Sequence, residues 1–152
     1  MRATRLEYAH PIQAGFSLLE LLIVITIVAI ITSIAVPGWR AHVLASHRTE
    51  AVGMLMHIAT RQEQFRIQQH RYAATKELTI APPGGLGILN TAERYILTVT
   101  ASDHAFKALA IVNAKGTQAD DQVCWLFGID EAGRRWSESD TGEISTTQCW
   151  RS

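Results

Sequence analysis

One carboxylate stands where hydrocarbon should be. Glu20 lies in an apolar run that opens at Phe16 and lasts to Val36, directly after Gly15. An ionised group at mid-bilayer depth costs roughly 2.5–3.5 kcal/mol on insertion scales, so it calls for a partner. Spacing points to one: Phe16 precedes Glu20 by one helical turn, at i,i+4. A cut between Gly15 and Phe16 would create an amine at Phe16 that neutralises Glu20, within the same chain or on a neighbour. An ordinary signal anchor with an incidental glutamate accounts for the hydrophobicity, but not for this Gly–Phe–Glu register.

Other residue types that do chemistry form no site. The six histidines are scattered, with His42 and His47 five apart and no H-E-x-x-H pattern. Asp120-Asp121 lacks the alternating carboxylates of a calcium loop and reads as a turn. No serine sits in a G-x-S-x-G elbow, and Gly84-Gly85-Leu86-Gly87 follows two prolines rather than a strand. The expectation is a protein that is not an enzyme and has neither metal nor cofactor. Cys124 and Cys149 fit an exported domain in which a disulfide is permitted. Bridging them would close a loop of about 25 residues, worth roughly 3–4 kcal/mol in the chain-entropy picture, two unlinked thiols being the alternative.

These residues need elements to hold them. Residues 1–15 read as a leader, with Arg2 and Arg5 but no apolar core, so a cut before Phe16 leaves the apolar run in the mature chain. Residues 16–36 are long and apolar enough for a membrane span, with the N-terminus cytoplasmic and residues 37–152 exported. Pro37-Gly38 predicts a kink or local melting, since proline removes a backbone donor. Beyond it, Leu44, Ala51, Leu55, Ile58, Ala59, Gln62 and Phe65 mark one buried stripe of an amphipathic helix running to about residue 69. A surface connection is expected over 70–94, around Pro82-Pro83-Gly84-Gly85. Strands are predicted over Tyr95–Ala101, Phe106–Asn113, Val123–Asp130 and Arg134–Ser137, the last two joined at Asp130-Glu131-Ala132-Gly133. The fold class is therefore α+β, a long helix on a roughly four-stranded antiparallel sheet.

Net charge is zero, which gives no global preference for nucleic acid. Its distribution is uneven: five arginines face two glutamates from Arg40 to Arg71, and eight acids face four bases from Asp103 to Glu143. A basic stem and an acidic distal domain suit side-by-side packing of subunits; solvated faces without a partner are the other reading. Trp39 reads as an interfacial anchor. Trp125 reads as core by alternation, leaving Trp136 and Trp150, near Arg134-Arg135 and Arg151, as candidate contact residues.

The stretch Gly15-Phe16-Ser17-Leu18-Leu19-Glu20-Leu21-Leu22-Ile23-Val24, with Pro37 beyond it, resembles the type IV pilin superfamily. His47-Arg48-Thr49-Glu50-Ala51, Arg61-Gln62-Glu63-Gln64-Phe65, Tyr95–Ala101 and the terminal Cys149-Trp150 are similar to PilE-type minor pilins. The resemblance implies cleavage by a prepilin peptidase at Gly15–Phe16, N-methylation of Phe16, and an assembly charge pair between Phe16 and Glu20. It further implies a low-abundance subunit that primes pilus assembly near the fibre tip and supports motility and adhesion. Other major and minor pilins, the inner-membrane assembly machinery and a PilY-type tip adhesin are the expected partners. The subunit would wait in the bacterial inner membrane and end in the extracellular fibre. A type II secretion pseudopilin and a DNA-uptake receptor pilin are the alternatives.

Overall fold

The computed structural model describes residues 16–89 and 92–150. They form two compact units that divide between Trp39 and Arg40; the expected leader, 1–15, and Arg151 lie outside the described residues. Helix α1, Leu18–Gln69, runs through both.

In the first unit every side chain from Phe16 to Val36 is exposed. The leucines, isoleucines and valines here lack a buried face because the pattern is apolar all round. Its few hydroxyls are satisfied internally: Thr26 donates to the Leu22 carbonyl at 2.7 Å, Thr32 to Val28 at 2.8 Å and Ser33 to Ile30 at 2.7 Å. Such back-bonding lets polar side chains sit in a helix without needing water. Helical backbone continues through Pro37 and Gly38, although proline has no N–H to give the Ser33 carbonyl.

The second unit, from Arg40 on, has its own core. The expected stripe is there: Ala51, Leu55, Ile58, Gln62 and Phe65 are buried, and Leu44 and Ala59 half-buried. Ala51, Leu55, Ile58 and Phe65 join one apolar cluster with the inner face of a four-stranded sheet ordered β1-β2-β3-β4, antiparallel throughout. The strands are β1 Tyr95–Ala101, β2 Phe106–Val112, β3 Leu126–Asp130 and β4 Arg135–Glu138. Alternation aims Tyr95, Leu97 and Val99, then Phe106, Ala108 and Ala110, and then Phe127 and Ile129 inward. The α+β expectation is borne out.

Besides β2 ending at Val112, one residue short of the expected Asn113, three details depart from expectation. First, β3 begins at Leu126 rather than Val123. Val123 is exposed and Trp125 only half-buried at the margin of the core, because the sheet's inner face ends there. Second, β4 begins one residue late, since the Arg134 N–H turns to cap the Asp130 carboxylate at 2.9 Å. Third, residues 70–89 are more than a surface connection: Tyr72, Ala73, Leu78, Leu86 and Ile88 are all core residues. Irregular backbone can be buried only if its polar groups are paired. Here the Gln62 amide donates to the Ala73 carbonyl at 2.6 Å and accepts the Ala73 N–H at 2.8 Å. The Thr75 hydroxyl, opening a 3-10 turn over Thr75–Glu77, does the same for Val99 of β1 at 2.9 and 2.7 Å. Gly85 comes so close to Glu77 that a Cβ there would meet the Glu77 carbonyl at 2.3 Å.

Candidate functional site

Glu20 falls in the first turn of α1, where a negative charge complements the helix dipole. Phe16 lies just ahead of the helix and is exposed, and the Ser17 hydroxyl accepts the Leu19 N–H at 3.3 Å. The two residues of the expected pair are thus presented at the start of a helix whose flanks are bare hydrocarbon. One helix among the described residues is long and apolar enough to cross a membrane, and it is this one.

In the second unit Cys124 and Cys149 are bridged, with Cα atoms 5.8 Å apart. The bridge holds a short helix, α2, Thr146–Cys149, against the sheet. Trp150 follows it and serves as a clasp: its indole donates to the Trp136 carbonyl at 2.8 Å and meets Phe127 edge-on, centroids 6.1 Å apart. Half-buried in this way, Trp150 is chiefly a packing residue rather than the contact residue expected.

Charges of the basic stem and acidic domain meet within the chain. Arg48 grips Asp121 through two hydrogen bonds of 2.7 and 2.8 Å. Gln118 joins that carboxylate to the Leu44 carbonyl, and its own oxygen lies 2.8 Å from His47 Nδ1. Burial beside this network pushes the Tyr95 hydroxyl well above its ordinary range. Arg94 and Glu50 add an outer pair at 3.1 Å. Glu77 is held at a pKa of about 2, chiefly by the hydrogen bonds of the Arg71 guanidinium. For Asp130, burial pushes upward, but the N–H and guanidinium of Arg134 outweigh it and leave the carboxyl below its usual value. The pairing of Arg48 with Asp121 was not legible in sequence, because the two are 73 residues apart.

The sheet's outer face carries a different constellation. Trp136 lies flat over Gly128; a Cβ at Gly128 would stand 2.2 Å from its ring. Lys107 Nζ approaches the same ring at 5.7 Å; Arg135, next along β4 and paired with inward-facing Ile129, stacks instead on Trp150 at 5.3 Å. Among the described residues no three histidine, cysteine or acidic side chains are grouped to hold a metal.

The class of protein this combination defines is one with an apolar helix that no other described residue covers and a separate, compact, disulfide-closed unit. The comparisons agree. The family model described as "Type IV minor pilin ComP, DNA uptake sequence receptor" matches residues 37–127, and a "Prokaryotic N-terminal methylation motif" matches residues 11–36. The chain belongs to that type IV minor pilin family. It is 34% identical over 82 residues to the type IV major pilin protein PilA of Myxococcus xanthus (strain DK1622), covering 53% of this chain and 37% of PilA. It is also 28% identical over 65 residues to the type II secretion system core protein G of Pectobacterium carotovorum subsp. carotovorum, covering 43% and 42% of the two chains. The chain therefore spans less than half the length of the curated relatives it matches.

Proposed function

We propose that this chain is a non-catalytic minor subunit of a type IV pilus, cut between Gly15 and Phe16, methylated at Phe16 and built into the fibre, where it primes assembly near the tip. The observation that carries the reading is the exposed apolar helix with Glu20 in its first turn. Hydrocarbon on every side requires lipid before assembly and neighbouring helices after it. Glu20 then neutralises the Phe16 amine of its own or an adjacent subunit and sets the axial register, while apolar packing supplies most of the energy. The missing rung at Pro37, which has no N–H to give, would make this the place where the helix adapts between the two settings. Prepilin peptidase, a methyltransferase, the inner-membrane assembly machinery, other pilins and a PilY-type tip adhesin are the partners this requires.

Intact-mass measurement of membrane-extracted and sheared-fibre protein tests the reading. A mature species beginning at a methylated Phe16, present in both fractions, is expected. A chain retaining Met1–Gly15 in peptidase-positive cells, or absent from purified fibres, overturns it. Type II secretion makes the contrasting case: loss of this chain is expected to impair surface piliation and leave secretion intact.

Capture of DNA is a second reading, favoured by the description of the matching family model. Lys107, Arg134 and Arg135 beside Trp136 are the residues suited to it, phosphates on the cations and a base on the indole. Asp130 and Glu131 at the same end weigh against it. Retention of labelled duplex by purified fibres, lost with Lys107→Ala and Arg135→Ala together, is the result that would support it.

A further inference from the structure

An antiparallel sheet with one face on a core commonly turns polar residues to water on the other. At one end of this sheet the outer face is apolar instead. Strand register sets five side chains there in a single row. Ile96 of β1 stands opposite Ile111 of β2, Ile111 opposite Leu126 of β3, and Leu126 opposite Glu138 of β4. Past the β4 edge, Ile144 bridges Glu138 and extends the row. Residues directly opposite share a face, and the alternate residues Tyr95, Val112, Phe127 and Ser137 are the buried ones. The row spans about 19 Å at the usual strand spacing. Ile96 is 41% and Ile144 87% exposed, with Ile111 and Leu126 half-buried between them. Two rows along, Thr100, Lys107 and Asp130 make the same face polar.

The charge within the row is Glu138. It has no ion pair among the described residues, and neither have Asp140 and Glu143, which line one cleft with Ile144. The turn that carries those two is held in place by its own backbone. The Ser139 N–H donates to the Glu143 carbonyl at 2.9 Å, the Glu143 N–H to the Ser139 hydroxyl at 3.0 Å, and the Asp140 N–H to the Gln122 carbonyl at 2.9 Å. A partner therefore meets carboxylates already ordered, which lowers the cost of binding. Covering the isoleucines would also strip water from Glu138, and a desolvated carboxylate is costly unless a cation meets it. Apolar contact and a cation must arrive together.

We propose that this row is the docking surface for a different protein chain, one that sets apolar side chains on Ile96, Ile111, Leu126 and Ile144 and a Lys or Arg on Glu138. Further cations of that partner face Asp140 and Glu143. Contiguous apolar surface with a polar border is the usual mark of such a site, and the opposite charges fix the orientation of approach. A second copy does not meet the description. Its own row carries the same carboxylate, and Lys107 on that face lies two rows off, about 14 Å along the strands. Nucleic acid fails by sign, since its phosphates would face three carboxylates. The inference rests on the proposed function only for where the partner is met, among the subunits of a fibre; the partner's chemistry follows from the row.

The test uses the full-length chain in cells that carry two differently tagged copies of it. A benzophenone amino acid replaces Ile96, Ile144 or, for comparison, Thr100, and membranes and sheared fibres are illuminated. Ile96 and Ile144 are expected to link to one and the same chain, different from this one, through a segment that holds Lys or Arg beside apolar residues. Thr100 is expected to give that product at about a tenth of the yield or less. Glu138→Gln, which keeps the shape of the side chain, and Ile144→Ser, outside the core, are each expected to lower the Ile96 yield about tenfold with the disulfide intact. Links mainly between the two tagged copies, links to DNA, or a partner segment without a cation overturn the inference, as does a yield indifferent to Glu138→Gln. Recovery of the chain in fibres with no link from either isoleucine overturns it too, and leaves the reading of a fibre subunit standing. The expected link in membranes from a chain that never enters fibres upholds the docking surface and overturns that reading alone.

Discussion

Two stretches of one helix obey opposite rules. From Leu18 to Val36, α1 is apolar on every side and nothing among the described residues covers it. From Ala51 to Phe65, the same helix buries a single stripe and turns polar residues outward. Both stretches are α-helix, so the difference lies in what each face must meet. The first stretch is written for surroundings that are apolar in all directions, the second for a core on one side and water on the other. Fold stability belongs to the second; on the proposed reading, assembly belongs to the first. Changes in the two stretches are therefore expected to fail in different assays.

The largest effect is expected at Glu20. Glu20→Leu removes the only acidic side chain from the apolar run and should leave membrane levels equal or higher, while recovery in sheared fibres falls sharply. Glu20→Gln keeps shape and hydrogen bonding without charge and should give an intermediate defect. Matched immunoblots of membrane and fibre fractions check this; wild-type fibre recovery for Glu20→Leu would end the distinction between the two stretches.

In the head, Cys149→Ser is expected to cost about 2–5 kcal/mol by freeing α2 and the Trp150 clasp. Urea unfolding of detergent-solubilised protein reads it, and membrane insertion should be unaffected. A smaller effect is expected of Gly128→Ala. The new methyl displaces Trp136 from its seat, at about 1–3 kcal/mol, and brings its ring into water; a red-shifted tryptophan emission with an intact disulfide is the signature.

The smallest effect is one of pH. Glu77 has a folded pKa of about 2 against an ordinary 4.5. A depressed carboxyl contributes stability that is complete above 4.5 and is lost as pH falls through about 2. Glu77→Gln should therefore be less stable than wild type at neutral pH. The gap should narrow across that window and close near its lower end, as thermal melts at stepped pH would show.

What the sequence disclosed follows from the range of the forces involved. The apolar run, the stripe at Ala51, Leu55, Ile58, Gln62 and Phe65, and the inward residues of β1 are local periodicities, readable at spacings of two, three or four. The cysteine pair needed only an oxidising setting. Trp125 misled because alternation predicts a face but not where the facing layer ends. Leu78, Leu86 and Ile88 have no period at all, and their burial depends on partners from α1 and β1. Arg48 and Asp121, or Trp136 resting on Gly128, are meetings of residues brought together only by the finished fold. The expected charge pair at Phe16 and Glu20 is of another kind, since on the proposed reading it would depend on processing and on neighbours.

Gln62 has one more consequence. Its amide offers Ala73 both a donor and an acceptor, as an adjoining strand would. The Ala73 N–H is thereby denied to solvent, although its residue belongs to no helix or strand. In deuterium exchange such a proton leaves only when the helix and the following segment part, so it should exchange as slowly as the amides of β1. After Gln62→Glu, the ionised side chain could still accept that proton but could not return one to the Ala73 carbonyl. Ala73 thus marks the time on which the helix lets go of the rest of the head, recorded by a single amide in an irregular stretch of chain.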